Sequence, residues 1–364
     1  MRFDLSIVGL GKLGSSMVGC FASKKFKVIG YDTNIKNVSI LNRGKAPIQE
    51  TGLDNIIKKN KKNIFATNDL SKIVSNSDIT FIVVPTPTSK DGSYNLDIVK
   101  KCLKDLSIHL RNKKKYHLIV LCSTVLPEDS EKYLIPTIEK YSKKKFRRNF
   151  GFIYSPEFIS LGNIVNEFLS PEIVLIGTEN KKDEEIILKI YKKLYSKKLF
   201  KVMKIKEAEL TKISVNCLMT AKISFSNMIG LFCLSMPKTN STIVLNSVKS
   251  FFDNFKKGYR AGLGYGGPCL PRDNLAMSYL SQKYKLKINL PKSVDQTNKL
   301  IPTHLYNKFF NKYKNKKILF IGISYKPKTS YYEKSQTLNL IKLVNKRNFV
   351  SVFDFNKLKI NFDI

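Results

Sequence analysis

The sequence predicts an α/β protein that begins with a doubly wound parallel sheet. Short apolar strands alternate with helices through the first 200 residues, and a glycine-rich turn joins the first strand to the first helix. A helical middle section follows, and strands return near Lys317. We therefore expect a sheet domain, a helical domain and a second sheet domain.

The expected elements can be placed in order. A first strand at 4–9 runs into the glycine turn, a helix follows to about Ala22, and a second strand at 27–31 ends at Asp32. Five more strands are expected at 63–66, 79–84, 117–122, 151–154 and 173–177, with helices at 96–110 and 183–194 among them. The proline-free stretch 206–235 predicts one long helix. A last β-α-β unit is expected at 318–322, 335–345 and 350–353.

These elements predict three domains, at 1–203, 204–300 and 301–364. The long middle helix favours a homodimer. One β-α-β unit is too small for an independent core, so the third domain is expected to be partial. We expect such a domain to weaken substrate binding without affecting the first domain.

Charge and composition exclude several classes of protein. The chain has 364 residues, a formal net charge of +36 and 43% hydrophobic residues, which is typical of a globular protein. The lysines are dispersed and not interleaved with aromatic residues, so we expect solvated faces and no nucleic-acid partner. No apolar run approaches the roughly 20 residues of a membrane span, and no signal peptide is recognisable. We expect a cytoplasmic protein that does not bind membranes.

The cysteines and histidines suggest neither disulfides nor a metal site. The six cysteines form no CxxC pair, and the three histidines stand apart from any nucleophile-like motif. Reduced thiols and no metal are expected.

The first motif is Gly9-x-Gly11-x-x-Gly14, between a strand and a helix. Its glycines allow a tight turn, close approach to a pyrophosphate and close helix packing. Asp32 follows about 20 residues later, where a carboxylate binds the adenosine ribose. Because this carboxylate would repel a 2′-phosphate, the motif favours NAD over NADP.

A glycine-rich segment at 262–273 contains Cys269 near a predicted helix start, with Arg272 close by. This setting lowers a thiol pKa and favours a nucleophile, although inert packing is the more common role of a cysteine. On the long helix, Lys212 and Asn216 share one face and could point at one oxyanion. A solvated helix face is the alternative. Polar segments at 84–88, 122–125 and 155–158 follow strands, at the edge where such sheets bind ligands.

Together these motifs resemble the UDP-glucose/GDP-mannose dehydrogenase family. The matching segments occur in the family's order at 9–14, Asp32, 42–53, 84–88, 123–125, 155–158, Lys212 with Asn216, 264–273, and 325–327 with Thr329. The resemblance implies an NAD-binding Rossmann domain, a helical dimerisation core and a C-terminal Rossmann-like domain for a nucleotide-sugar. NAD would be bound by Gly9, Gly11, Lys12, Leu13, Gly14, Asp32, Thr86, Thr124 and Arg272. The nucleotide-sugar would be bound by Glu157, Phe158, Lys212, Asn216, Tyr259, Gly266 and Lys326.

The resemblance also implies a four-electron oxidation of a sugar CH₂OH to a carboxylate with two NAD⁺. Thr124, a water and Asp273 would handle the proton of the first oxidation. Cys269 would capture the aldehyde, and a second hydride transfer would give a thioester. Lys212 and Asn216 would stabilise the oxyanions, and Glu157 would assist hydrolysis. Such an enzyme would supply precursors of surface polysaccharide.

Some positions depart from the family pattern. Leu161 and Glu333 stand where many members have Glu and Arg, and Asn37 replaces a common lysine. The family's C-terminal domain usually extends beyond the equivalent of Ile364. Two alternatives therefore remain: a β-hydroxyacid dehydrogenase, which needs no thiol, and a catalytically impaired NAD-binding relative that dimerises but binds substrate poorly.

Overall fold

The computed structural model describes residues 2–195, 199–251, 261–326, 329 and 331–354. Its strands are β1 (Leu5–Val8), β2 (Val28–Tyr31), β3 (Ile64–Thr67), β4 (Ile79–Ile82), β5 (His117–Leu121), β6 (Phe150–Tyr154), β7 (Ile173–Gly177), β8 (Leu199–Met203), β9 (Lys317–Ile321) and β10 (Phe349–Phe353). Its α-helices are α1 (Lys12–Ser23), α2 (Ile35–Asn42), α3 (Leu53–Lys59), α4 (Leu70–Asn76), α5 (Asp97–Leu110), α6 (Ile135–Ser142), α7 (Ile164–Leu169), α8 (Lys181–Leu194), α9 (Ile205–Ser235), α10 (Ser241–Phe251), α11 (Leu270–Lys283), α12 (Leu290–Leu305) and α13 (Gln336–Asn345). The predicted fold class is confirmed.

The first eight strands form one sheet in the order β3-β2-β1-β4-β5-β6-β7-β8. The chain runs outward from β1 to β3 and then crosses back to β4, so the strand order reverses between β1 and β4. In doubly wound sheets, ligands bind at the carboxyl ends of the strands beside such a reversal. The first strand, and the glycine turn that follows it, lie at this position.

The sheet differs from the sequence prediction in two respects. Strand β7 pairs antiparallel with β6 through Tyr154 and Gly177, so the sheet is mostly, not wholly, parallel. Strand β8 was not predicted, and it pairs parallel with β7. Both differences lie at one end of the sheet, away from the β1–β4 reversal.

Both faces of this sheet are buried in apolar clusters. Leu5 and Ile7 belong to the cluster on one face, together with Phe21 and Tyr191, whereas Val8 belongs to the cluster on the other. Burial of both faces explains why the strands are nearly continuous apolar runs and could be recognised in the sequence.

Helix α9 is the long helix predicted for the middle of the chain. By length and composition this helix could cross a membrane, which differs from the sequence expectation that no apolar run is long enough, and 28% of its apolar stretch is buried within the chain. It carries buried polar side chains and exposed large apolar ones: Glu209, Lys212, Thr220 and Asn227 are buried, and Val215, Leu218, Phe225 and Phe232 are exposed.

The chain divides into two compact units. One contains Met1–Ser89 and Tyr94–Lys212, and the other contains Lys90–Ser93 and Ile213–Ile364. In the second unit, β9 and β10 pair in parallel and are connected through α13. The predicted final β-α-β unit is therefore present, with Leu340, Ile341 and Val344 of α13 buried.

Candidate active site

The glycine turn leaves open space at the amino end of α1. Gly9 has a φ of +98°, and a Cβ there would lie 2.6 Å from the carbonyl oxygen of Val83. A Cβ on Gly14 would collide with the carbonyl oxygen of Gly9, whereas one on Gly11 would meet nothing within 4 Å. Gly9 and Gly14 therefore allow close backbone packing, whereas Gly11 borders free space. This free space lies at the start of a helix, where the first backbone amides attract anions such as phosphate.

Asp32 is held beside this turn at the end of β2. Its carboxylate accepts hydrogen bonds from the backbone amides of Leu10 and Asn34, both at 2.7 Å. The side chain of Asn37 donates to the same carboxylate at 3.4 Å, so the residue that departs from the family pattern supports Asp32. These hydrogen bonds hold the Asp32 carboxylate beside the glycine turn.

The other predicted cofactor residues of this unit lie at neighbouring positions. Lys12 and Leu13 begin α1, and Leu13 packs against the core. The Thr86 hydroxyl donates to the carbonyl oxygen of Thr124 at 2.6 Å, and the Ser123 hydroxyl donates to that of Val84 at the same distance. The loops after β4 and β5 are therefore joined to each other at the carboxyl edge of the sheet.

A buried lysine and a partly buried carboxylate lie near the end of β6. The Nζ atom of Lys212 donates to the backbone oxygen of Glu157 at 2.6 Å and lies 4.5 Å from the ring centre of Phe158. Lys212 is 8% exposed, which excludes a solvated helix face for this residue. Burial raises the pKa of Glu157 to about 7, and the Lys212 charge offsets part of this effect. A carboxyl group with this pKa can exchange protons near neutral pH.

Cys269 occupies the N-cap position of α11 in the second unit, and its side chain is exposed. Asp273, one turn later, is fully buried and accepts hydrogen bonds from Arg272 at 2.9 Å and from Asn216 at 2.5 Å. The predicted catalytic residues Asn216, Asp273 and Cys269 thus lie on two helices of one unit. Arg272, predicted to bind the cofactor, pairs with Asp273.

Burial raises the pKa of most other thiols. It brings the pKa of Cys20, Cys102 and Cys217 to about 12 and holds that of Cys122 well above its usual value. These thiols are poor nucleophiles at neutral pH, because the thiolate is the reactive form.

Glycines before the cysteine pack closely against Tyr325 and Lys334. A Cβ on Gly266 would lie 2.5 Å from the carbonyl oxygen of Lys334, and one on Gly267 would lie 2.7 Å from the Tyr325 ring. Gly266, predicted to bind substrate, therefore has a packing role as well. Lys326 is half-buried, and the predicted substrate residue Tyr259 lies outside the described residues.

The sequence did not single out Glu209, a fully buried carboxylate on α9. It accepts hydrogen bonds from the backbone amides of Glu128 at 2.7 Å and Ser130 at 3.1 Å. Its spacing from Lys212 and Asn216, three and seven residues, places all three on one helix face and is the signal that could have indicated its burial.

No group of three potential metal ligands occurs among the described residues. His117 is buried at the other edge of the sheet, hydrogen-bonded to Thr80, and burial lowers its pKa to about 3.

Comparison with known proteins identifies relatives along nearly the whole chain. Residues 3–195 match the NAD binding domain of the UDP-glucose/GDP-mannose dehydrogenase family, and residues 206–300 match its central domain. The GDP-mannose 6-dehydrogenase of Pseudomonas aeruginosa is 28% identical over 97% of this chain and 81% of that protein. The UDP-glucose 6-dehydrogenase of Haloferax volcanii is 30% identical over 93% and 80%, respectively. The structure of a UDP-glucose dehydrogenase from Pyrobaculum islandicum is similar with a TM-score of 0.88 at 28% identity, over 97% of this chain and 82% of that one.

Proposed function

The chain belongs to the UDP-glucose/GDP-mannose dehydrogenase family, whose cofactor is NAD, and from that premise we propose that it oxidises the CH₂OH group of a UDP- or GDP-sugar to a carboxylate through a thioester on Cys269. The relatives named above act on GDP-mannose and UDP-glucose. The proposal therefore leaves the nucleotide and the sugar open within this class. A role in polysaccharide precursor synthesis follows from the acidic sugar that the reaction produces.

In the proposed reaction, two hydrides leave the same sugar carbon and one water is consumed. NAD⁺, when bound, supplies the hydride acceptor. Gly11 and the first turn of α1 would hold its pyrophosphate and Asp32 its ribose. Thr124 and Asp273, with a water, would take the hydroxyl proton as the alcohol becomes an aldehyde.

Cys269 then has the central role. Its sulfur would add to the aldehyde carbon, and loss of a hydride from the resulting thiohemiacetal would leave a thioester. Lys212 and Asn216 would stabilise the oxyanions of these steps. Glu157 would take a proton from the attacking water, so that hydrolysis releases the acid and the Cys269 thiol.

One observation carries the proposal most strongly. Cys269 is exposed at the N-cap position of α11, whereas Asp273, one turn away, is fully buried and hydrogen-bonded to Arg272 and Asn216. An exposed thiol is accessible to a substrate carbon, and a buried, hydrogen-bonded carboxylate is held in one orientation. A β-hydroxyacid dehydrogenase would need no such thiol.

The decisive experiment is an assay of the purified chain with NAD⁺ and a panel of nucleotide-sugars. UDP-glucose, two UDP-N-acetylhexosamines and GDP-mannose would be tested by absorbance at the NADH band and by mass spectrometry of the product. We expect two NADH per sugar acid with at least one substrate. A ratio of one NADH per ketone product, or no turnover with any sugar, would contradict the proposal.

We also propose a cytoplasmic homodimer formed through α9. Leu218, Phe225 and Phe232 are exposed and recur every seven residues, the spacing at which two helices pair along a seam. Burial of these residues against a second copy would remove a continuous apolar stripe from water.

The division into domains at 1–203, 204–300 and 301–364 stays a proposal. The ends of the two matched family domains, at residues 195 and 300, lie near the two proposed boundaries and support it.

A further inference from the structure

Glu209 is a buried acidic residue without a role in the mechanism above. Its side chain lies on the second turn of α9 and is 0% exposed. One carboxylate oxygen accepts from the Glu128 amide at 2.7 Å, and the other accepts from the Ser130 amide at 3.1 Å. A buried carboxylate is costly unless such donors satisfy it. We therefore examined which parts of the chain this contact holds together.

The hydrogen bonds of Glu209 hold the turn at residues 126–130, which follows Thr124 in the loop after β5. Glu128 has a φ of +77°, a left-handed conformation that is strained for a residue other than glycine. Ser130 begins a helical segment that continues into α6, so its amide has no partner within the helix. The Glu209 carboxylate satisfies both amides and thereby stabilises a strained turn.

The other side of the contact is the part of α9 that carries Lys212. Ala208 packs against the end of β7, where a Cβ on Gly177 would come within 2.7 Å of it. Lys212, one turn beyond Glu209, is bonded to the Glu157 carbonyl after β6. The start of α9 is therefore hydrogen-bonded to the loops after β5 and β6, and it packs against the end of β7.

We propose that Glu209 is a positioning residue, which ties the 126–130 turn to α9 and so fixes Thr124 relative to Lys212. The inference rests on the proposed function in that Thr124 and Lys212 take their roles from it. Glu209 itself touches neither cofactor nor substrate in this proposal.

The test begins with hydrogen exchange of the cofactor-free protein, which does not depend on any activity. In Glu209→Ala, the amides of residues 128 and 130 should exchange about tenfold faster, because each loses its buried acceptor. Glu209→Gln keeps one acceptor oxygen and should show a smaller increase, which also provides a second variant if Glu209→Ala fails to fold. The matched control is Glu207→Gln, since Glu207 lies on the same helix, is exposed and bonds only locally to the Lys204 amide.

The second measurement compares the effect of the substitution on kcat with its effect on KM. We expect kcat to fall about tenfold in Glu209→Ala, with the KM of the nucleotide-sugar within about twofold, and no change in Glu207→Gln. Glu128→Gly should relieve the strained turn and restore part of kcat when added to Glu209→Ala.

Three results would overturn the inference. The first is unchanged exchange at residues 128 and 130, the second is faster exchange with wild-type kcat, and the third comes from an NAD⁺ titration. If the wild-type protein oxidises no nucleotide-sugar, the proposed function fails, whereas exchange and an NAD⁺ titration still test Glu209. In that titration, wild-type NAD⁺ affinity in Glu209→Ala would contradict a fixed Thr124 loop, and a severalfold weaker affinity would support it.

Discussion

The ammonium group of Lys212 donates a hydrogen bond to the backbone oxygen of Glu157 at 2.6 Å, and its charge opposes the effect of burial on the Glu157 carboxyl group. The two residues come from α9 and from the loop after β6. Because Lys212 is buried, its charge is poorly screened and acts strongly on a neighbouring anion. The same positive charge could stabilise an oxyanion of the reaction.

Substitution of Lys212 by alanine should lower kcat by about 10² to 10³-fold, as the loss of an oxyanion donor does in other enzymes. NAD⁺ affinity should change little, because the glycine turn and Asp32 are untouched. Steady-state kinetics and an NAD⁺ titration would measure both. Lys206→Ala is the matched control, since Lys206 lies on the same helix and is exposed. An equal loss in both variants would remove Lys212 from the mechanism.

The pH dependence of acid formation should reflect Glu157. Burial raises its pKa from 4.5 to about 7, so the carboxylate that activates water becomes populated only as pH rises through 7. We expect the rate to rise between about pH 6 and 8, and Glu157→Gln to lower the rate and abolish the rise. Removal of the Lys212 charge should shift the rise to higher pH. A flat wild-type profile would contradict this role.

Cys269→Ser should abolish net formation of the sugar acid while leaving NAD⁺ binding intact, because a hydroxyl is far less nucleophilic than a thiolate. Alkylation at neutral pH should modify Cys269 well before Cys20, Cys102 and Cys122, whose pKa values are raised by burial. Product assays and mass mapping of alkylated peptides would check both expectations. Cys102→Ser serves as the control and should retain activity; acid formation by Cys269→Ser would exclude the thioester.

The elements around the cofactor turn could be predicted because local patterns specify them. Buried parallel strands are continuous apolar runs, and the strand–turn–helix context of Gly9 and Gly11 is contained in a short segment. Strand β8 has a lysine in its middle and could not be separated from a loop. The antiparallel direction of β7 depends on the path of the chain, about which strand patterns carry no information.

The burial of individual charged residues could not be predicted from the sequence pattern. A lysine or glutamate on a helix is ordinarily exposed, so the pattern alone could not decide between a solvated face and a site for Lys212. Glu209 was missed for the same reason, since its partners are backbone amides about 80 residues earlier in the chain and have no side-chain signature. The resemblance to a family identified Lys212, but the structure was needed to find Glu209.

The three glycines of the turn should respond differently to alanine. Gly11→Ala should fold with wild-type stability, because Gly11 has a φ of −73° and open space around its Cβ position. Its methyl group would occupy the space proposed for the pyrophosphate, so NAD⁺ affinity should fall at least tenfold. Gly14→Ala should instead lower the melting temperature, because its Cβ collides with Gly9. Thermal unfolding and NAD⁺ titration separate the two effects; tight NAD⁺ binding by Gly11→Ala would contradict the proposed cofactor position.

The exposed stripe on α9 should control the oligomeric state. Phe225→Glu and Leu218→Glu each place a charge in the middle of a seam that repeats every seven residues, and burial of an unpaired carboxylate costs several kcal/mol. Light scattering after gel filtration should therefore show a dimer for the wild type and a monomer for Phe225→Glu. Ile243→Glu is the control, because Ile243 is 66% exposed on α10 and does not belong to the stripe. Because the mutated side chains are exposed in the single chain, circular dichroism should be unchanged in all three variants. A Phe225→Glu protein that remains dimeric would show that the α9 stripe is not the interface, and a wild-type monomer would exclude the proposed homodimer itself.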